Sequence, residues 1–304
     1  MTLGATTMNL ERSLLTLAAG LALGWLPAVA EQPSSYDPAA LVRETVRKEV
    51  NASTESTKVM FRDQKVTTHG SQTRLIIETH EGTAGMLIAI DGKPLTTQQR
   101  QGELERLERL ANNPQELKKK QKAERDDADR TMRIVKALPD AFLYEPDGAE
   151  PEKPELGKPG DGLLRLKFRP NPNYDPPTRT EQVLTGMQGY ILIDAKQHRI
   201  AKIDGTLFKD VGFGWGILGH LDKGGRFLVT QKDLGDGDWE VTRMDLDFTG
   251  RALFFKKIGI QSNEVLFDYH TAPDVTFAQA VELLKKEESE LAANGQLNNG
   301  DPPK

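Results

Sequence analysis

The sequence contains no cysteine. This absence excludes disulfide bonds, thiolate metal sites and a cysteine nucleophile. It also excludes the lipid-modified cysteine that would tether an exported bacterial protein to a membrane. A chain of 304 residues without such crosslinks must be stabilised by its core, and its length is enough for one large domain.

An excess of positive charge is missing as well. Lysine and arginine number 40 against 45 aspartates and glutamates, which gives a formal net charge of −5. A general nucleic-acid-binding protein would present a basic face, so we expect no nucleic-acid partner. The net charge does not exclude small molecules, lipids or proteins as partners.

Long apolar runs are confined to the beginning of the chain. Arg12 supplies a positive flank, residues 14–26 form an apolar run, and Ala28 and Ala30 are small residues where a signal peptidase reads. This pattern predicts a secretory signal peptide over residues 1–30, with a buried N-terminal helix as the alternative. No later segment approaches the roughly 18 apolar residues of a transmembrane helix. We therefore expect a soluble protein that is periplasmic or secreted.

Patterns of catalytic or metal-binding residues are also lacking. None of the five histidines stands in a metal-ligand spacing such as H-E-x-x-H. His220 lies beside Asp222, and such a pair could orient a base, but no G-x-S-x-G nucleophile motif occurs. We expect no metal, no cofactor and no enzymatic activity, and a hydrolase that uses His220 is the least favoured alternative.

Helical periodicity is present near both ends of the chain and in one internal segment. Residues 38–50 and 276–291 repeat apolar side chains at helical spacing. Residues 96–138 form a charged helical insertion that is interrupted at Asn113-Pro114. We expect the helices at the two ends of the chain to cover one face of a sheet.

Two segments lack the apolar residues needed for a packed structure. Residues 145–162 are dense in proline, glycine and acidic side chains, which predicts a flexible surface loop. Residues 289–304 form a polar tail that we expect to be disordered.

Short β-rich runs separated by turn residues occupy the rest of the sequence. Thr249-Gly250 and Ser262-Asn263 are interpreted as two of these turns. Parallel strands need crossovers of a dozen or more residues, so the short connections predict an antiparallel sheet. We predict one α+β domain over residues 31–288, with a curved, mostly antiparallel sheet that forms an incomplete barrel under covering helices. After the loop the predicted strands are 163–169, 189–194, 199–207, 225–232, 239–248, 250–260 and 264–270.

Three glycines, Gly214, Gly216 and Gly219, have the spacing of a dinucleotide-binding fingerprint. Such a site needs a strand, a glycine turn and then a crossover helix. The segment before Lys223 is too short for that helix, so we expect the next strand to run antiparallel and no nucleotide to bind. The large side chains around these glycines could close the end of the core or line a cavity for an acyl chain. These candidate ligand-binding residues are Phe213, Trp215, Ile217, Leu218 and Leu221.

Residues 189–194, followed by Arg199 to Ile203, have the form of a hairpin, "GYILID" then "RIAKI". The signal peptide, the N-terminal helix, the long antiparallel pattern and this hairpin together resemble the outer-membrane lipoprotein carrier superfamily. The resemblance covers roughly residues 42–284. The resemblance implies an incomplete β-barrel with helices at its mouth and lipid or lipoprotein acyl chains in its cavity. The sequence departs from that family at 96–162 and 212–225, and no functional residue is carried over from it.

The leading hypothesis is an exported soluble binding or carrier protein that holds a lipid or lipidated ligand on the concave face of a curved sheet. The alternative is a structural or protein-interaction module of the cell envelope, with a filled core, an envelope protein as partner and no ligand. A carrier would contain a sizeable apolar void, whereas the filled module would contain none.

Overall fold

The computed structural model describes residues 36–55, 57–151, 153, 155–213, 219–235, 237–252 and 256–298. The predicted signal peptide lies outside these residues. The described helices are α1 (Pro38–Glu55), α2 (Thr97–Asn112), α3 (Pro114–Ala141), α4 (Arg179–Gln182) and α5 (Phe277–Ala293), with 3₁₀ helices at Val183–Gly186 and Gln296–Asn298.

The helix boundaries follow from their capping residues. Asn113 ends α2 and caps α3, because its side chain accepts hydrogen bonds from the backbone of Gln115 and Glu116. The interruption predicted at Asn113-Pro114 is therefore confirmed. Thr276 forms a capping box with Gln279 at the start of α5. This helix continues into the predicted tail, of which residues 299–304 lie outside the described part.

The strands form one large antiparallel sheet. Its order is β4-β3-β2-β1-β13-β12-β11-β8-β7-β6-β5, and the short β10 pairs with β9 and with the end of β12. Among the described residues β4 and β5 are the edges, so the sheet is open. The predicted α+β class is confirmed. The strands are β1 (Val59–Thr67), β2 (Gly70–Thr79), β3 (Gly82–Ile90), β4 (Lys93–Pro94), β5 (Phe142–Glu150), β6 (Leu163–Pro170), β7 (Met187–Asp194), β8 (Ile200–Leu207), β9 (Val211–Phe213), β10 (Gly219–Leu221), β11 (Arg226–Asp233), β12 (Trp239–Ala252) and β13 (Lys256–Thr271).

Two predicted turns are wrong. Thr249-Gly250 lies within β12, and Ser262-Asn263 lies within β13. Both pairs are held in the ladder between these strands, which outweighs their local turn preference. Gly250 has a packing role instead: a Cβ there would lie 2.2 Å from the carbonyl oxygen of His220, so glycine permits the close approach of β10.

The two faces of the sheet can be followed through directly paired residues, because such pairs point to the same side of antiparallel strands. By alternation, Arg74, Ile76 and Glu78 share the face of Gln72 on β2, whereas Leu75 and Ile77 lie on the other. Successive pairings trace one face across the sheet, from Ile191 on β7 through Ile203 on β8, Val229 on β11, Met244 on β12, Glu264 on β13 and Lys65 on β1 to Gln72 on β2.

Helices pack on both faces of the sheet. The first core cluster joins α1 and the end of α3 to the face that carries Ile191, with Val42, Leu138 and Leu166 at its centre. The second joins α2 and α5 to the opposite face, through Ile77 and Phe277. The expectation that the terminal helices cover one face is therefore wrong, because the odd-numbered positions of β2 supply a second apolar surface.

The segment predicted to be a flexible loop contributes to the sheet and to a third core cluster. Its first residues belong to β5, which pairs with β6. Leu156 is buried with Leu163, Leu192 and Trp239. The backbone N–H of Gly157 donates to Gln231 at 3.0 Å, so part of this segment is packed; the mobility of the remainder stays a prediction.

Candidate functional site

A cleft of about 460 Å³ lies between the two helices of the first cluster and the ends of several strands. Its helical wall is formed by Glu49, Ala52 and Ser53 of α1 and by Met132 and Val135 of α3. The sheet side and the turn before β12 contribute Glu78, Arg199, Gln231, Gly237, Asp238, Trp239, Glu240 and Val241. We call this space the first cleft.

A nearly buried ion pair joins α1 to the sheet at the first cleft. Arg199 Nε donates to Glu49 Oε1 at 2.9 Å and its Nη2 donates to Oε2 at 3.0 Å. The Ile200 backbone N–H also donates to Glu49, at 2.8 Å. The Arg199 and Glu49 side chains are 11% and 10% exposed. This two-point geometry fixes the position of α1 over the start of β8.

Trp239 connects the cleft to the third core cluster. The residue is 8% exposed and packs with Leu163 and Leu192. The Arg199 guanidinium carbon lies 5.4 Å from its ring centroid, a distance at which a cation is attracted to the ring face. The cleft therefore has one rigid aromatic wall.

Two partly buried carboxyl groups, Glu78 and Glu240, lie on the sheet side of the cleft. Burial, together with the charges of Glu78 and Asp238, raises the pKa of Glu240 to about 7. Burial also raises the pKa of Glu78, an effect that Lys58 opposes. At neutral pH a substantial fraction of Glu240 is thus uncharged, and its protonated carboxyl can donate a hydrogen bond.

An aromatic pair lies close to these carboxyl groups. Phe61 stacks on Tyr269 with 4.9 Å between ring centroids. The Tyr269 hydroxyl donates to the carbonyl oxygen of Val241 at 2.6 Å, and burial followed by the charge of Glu240 raises its pKa. This hydroxyl is therefore a neutral, structurally engaged group.

Glu240→Gln should stabilise the protein at alkaline pH. The pKa of this carboxyl is about 7 in the fold and 4.5 ordinarily, so the folded state binds its proton more tightly. Its contribution to stability is therefore present below pH 4.5 and is lost as pH rises through 7. With solvent screening, we expect the free energy of unfolding to rise by about 1–2 kcal/mol at pH 8.

Urea denaturation at pH 8 and at pH 4.5 measures this effect, which should shrink strongly at the lower pH. The matched control is Glu105→Gln, on the exposed surface of α2, and it should change stability little at either pH. An equal gain for Glu240→Gln at both pH values would show that the carboxyl is not perturbed.

The predicted His220–Asp222 pair lies apart from the first cleft. Among the described residues no three histidine, aspartate or glutamate side chains are grouped to hold a metal ion. His220 Nε2 does lie 3.1 Å from Asp222 Oδ1, and the Thr249 hydroxyl donates to the same carboxylate at 2.7 Å. His220 lies on β10 and Asp222 follows the strand directly. Neither these two residues nor Thr249 lines the first cleft.

The two described residues of the sequence-based candidate set lie away from the first cleft. Phe213 on β9 and Leu221 on β10 are half-buried against the first core cluster, and neither lines the first cleft. β11, the strand after the glycine segment, pairs antiparallel with β8, as expected. Trp215, Ile217 and Leu218 lie outside the described residues, so their proposed role stays a prediction.

Comparison with known proteins gives no relative: no protein-family model matches the chain, and no curated protein matches it significantly. In the described part of the chain, none of the helices combines the length and the apolar character required to cross a membrane.

Proposed function

We propose that this chain is an exported binding or carrier protein that holds a lipid or lipidated ligand between α1, α3 and the sheet. The observation that carries the proposal is the first cleft. Its volume of about 460 Å³ is typical of small-molecule sites, which are concave and combine apolar walls with a few polar groups. In this proposal the sheet curves around the ligand as an incomplete barrel, and the protein works in the periplasm or outside the cell.

The lining supports an amphipathic ligand. Met132 and Val135 offer apolar contact on the helical side, and Trp239 offers it on the sheet side. Each methylene buried against such walls contributes roughly 0.8 kcal/mol to binding. Glu240 has a pKa of about 7 and is partly protonated at neutral pH, so it supplies a polar contact that can donate a hydrogen bond. An open cleft supports the carrier over an interaction module with a filled core. Seven of its thirteen lining residues are polar or charged, so it suits an amphipathic ligand rather than a wholly apolar one.

Release would require α1 to move away from the sheet. The Glu49–Arg199 pair is the polar contact that holds the cleft-lining part of α1 against β8. Both residues line the first cleft. A partner that binds Arg199 in place of Glu49 would free α1 and thereby open the cleft. The proposal includes no catalytic step.

Ala52→Phe should weaken ligand binding. Ala52 lines the cleft from α1, and a phenyl ring at that position would occupy the space meant for the ligand. We expect the affinity for a fluorescent fatty acid to fall at least about tenfold, a loss of about 1.4 kcal/mol. Fluorescence titration measures it, with native mass spectrometry and organic extraction of periplasmic protein to identify the bound lipid.

The matched control is Ala123→Phe, which adds the same ring to the exposed surface of α3 and should leave the affinity unchanged. The carrier function would be refuted by a wild-type protein that is free of lipid after purification and takes up no acyl probe. Equal affinities of wild type and Ala52→Phe would move the binding site out of the first cleft.

A further inference from the structure

A second cleft, of about 330 Å³, lies at the hairpin that joins β1 to β2. Two cationic side chains, Lys65 and Arg74, line it together with the imidazole of His69 and the hydroxyl-bearing residues Thr67 and Ser71. No carboxylate residue contributes to its lining among the described residues. The chemistry of the walls is therefore that of hydrogen-bond donors and positive charge.

Buried carboxyl groups lie behind these cations. Glu264 Oε2 is 3.1 Å from Lys65 Nζ, and the glutamate side chain is 15% exposed against 38% for the lysine. Asp63 is directly opposite Arg74 in the β1–β2 register and is 7% exposed. The two cations thus line the cleft. Glu264 pairs with Lys65, whereas the covered Asp63 acts on Arg74 through its charge.

Arg74 has unused capacity for an anion. Its Nη2 donates to the neutral Gln72 Oε1 at 2.6 Å, and within the described chain no carboxylate forms a salt bridge with it. A guanidinium has five N–H donors in a fork that matches carboxylate and phosphate oxygens. The remaining donors are available to a ligand in the second cleft.

The two clefts open on the same face of β2. Glu78 lines the first and Arg74 lines the second. Four residues of strand separate their Cα atoms by about 14 Å. Ile76 lies between them on this face and is paired with Phe61 of β1. The apolar pair of Phe61 and Ile76 therefore lies between the first cleft, which contains carboxyl groups, and the second cleft, which contains cations.

From this geometry we infer that the second cleft binds the anionic group, carboxylate or phosphate, of a single-chain amphiphile whose apolar chain passes over Phe61 and Ile76 into the first cleft. The inference rests on the proposed carrier function and assigns the ligand a charge and a direction. An anionic group is disfavoured beside Glu78 and Glu240, and it is attracted to Arg74 and Lys65. The ligand class is thus an anionic lipid or fatty acid rather than a cationic one.

Calorimetric titration at pH 7.5 with decanoate, decan-1-ol and inorganic phosphate tests the inference. Decanoate should bind at least about tenfold more tightly than decan-1-ol. Arg74→Gln should remove this preference by weakening decanoate alone, whereas Arg74→Lys, which keeps the charge, should retain most of it. Arg169→Gln, which removes an exposed arginine of β6, is the matched control and should change nothing. Weak phosphate binding that Arg74→Gln abolishes would identify the anion itself as the recognised group.

The outcomes separate the two proposals. Equal affinities for decanoate and decan-1-ol, unchanged in Arg74→Gln, would overturn the anion site and leave the carrier function standing. Failure of both alkyl probes to bind would overturn the carrier function, and phosphate binding lost in Arg74→Gln would then support an anion site for free phosphate. Should Arg74→Gln fail to fold by circular dichroism, the wild type still decides: salt should weaken decanoate binding but not decan-1-ol binding, and an equal response would overturn the inference.

Discussion

Glu49→Ala should lower the free energy of unfolding by about 3–5 kcal/mol, because it leaves the charge of Arg199 nearly buried without its partner. The same change deprives the Ile200 backbone N–H of its acceptor, and an unsatisfied buried donor adds to the cost. Urea denaturation measures the loss. Ligand affinity should fall with it, because α1 is then free to leave the position in which Ala52 and Ser53 line the first cleft.

Two comparisons isolate the ion pair. Glu44→Ala removes a glutamate from the same helix whose side chain is 40% exposed and faces His198, so it should change stability far less than Glu49→Ala does. The double variant with Arg199→Ala should cost clearly less than the sum of the two single changes, since no unpaired charge remains. Strict additivity would contradict a direct coupling between Glu49 and Arg199.

Phe277→Ala should cost a similar amount, about 3–5 kcal/mol, by leaving a cavity. The ring is 1% exposed and packs in the second core cluster between α5 and the sheet. This cluster lies on the face opposite the first cleft. Ligand affinity per folded molecule should therefore stay unchanged, although the midpoint of urea denaturation falls.

Phe208→Ala is the matched control, because this phenylalanine is 37% exposed and should contribute less than about 1 kcal/mol. Equal losses for the two phenylalanines would mean that the second cluster is not a tightly packed core. A ligand affinity that falls in Phe277→Ala, measured under conditions where the variant is folded, would mean that the two faces are coupled.

Local signals in the sequence were sufficient for the four long helices and for most strands, but not for the short α4. Asn113-Pro114 and Thr276 mark helix boundaries that can be recognised in the sequence, because a capping side chain bonds to the backbone only two or three residues away. β5 escaped prediction because Pro146 and Gly148 are typical of loops, and its pairing with β6 is a property of the sheet edge that composition does not reveal.

The first cleft could not be found in the same way. Glu78 and Glu240 lie far apart in sequence, and they meet only because the order of the strands brings β2 and β12 to the same end of one face. A single glutamate at the end of an apolar strand is an ordinary occurrence. The distinguishing property is burial, which raises the pKa of Glu240, and burial depends on the packed fold rather than on the residues next to Glu240 in the sequence.

Strand β2 imposes an evolutionary constraint, because its alternating side chains serve two unrelated purposes. Leu75 and Ile77 belong to the second core cluster, whereas Arg74 and Glu78 line the two clefts. Loss or gain of one residue inside β2 would exchange these sets, since a shift of one position turns every side chain to the other face. Under the proposed function, substitutions on the cleft side would alter ligand preference while the core is preserved, whereas changes in length would be restricted to the turns at the two ends of the strand. Under the proposed function, selection for binding and selection for folding therefore act on alternate residues of β2.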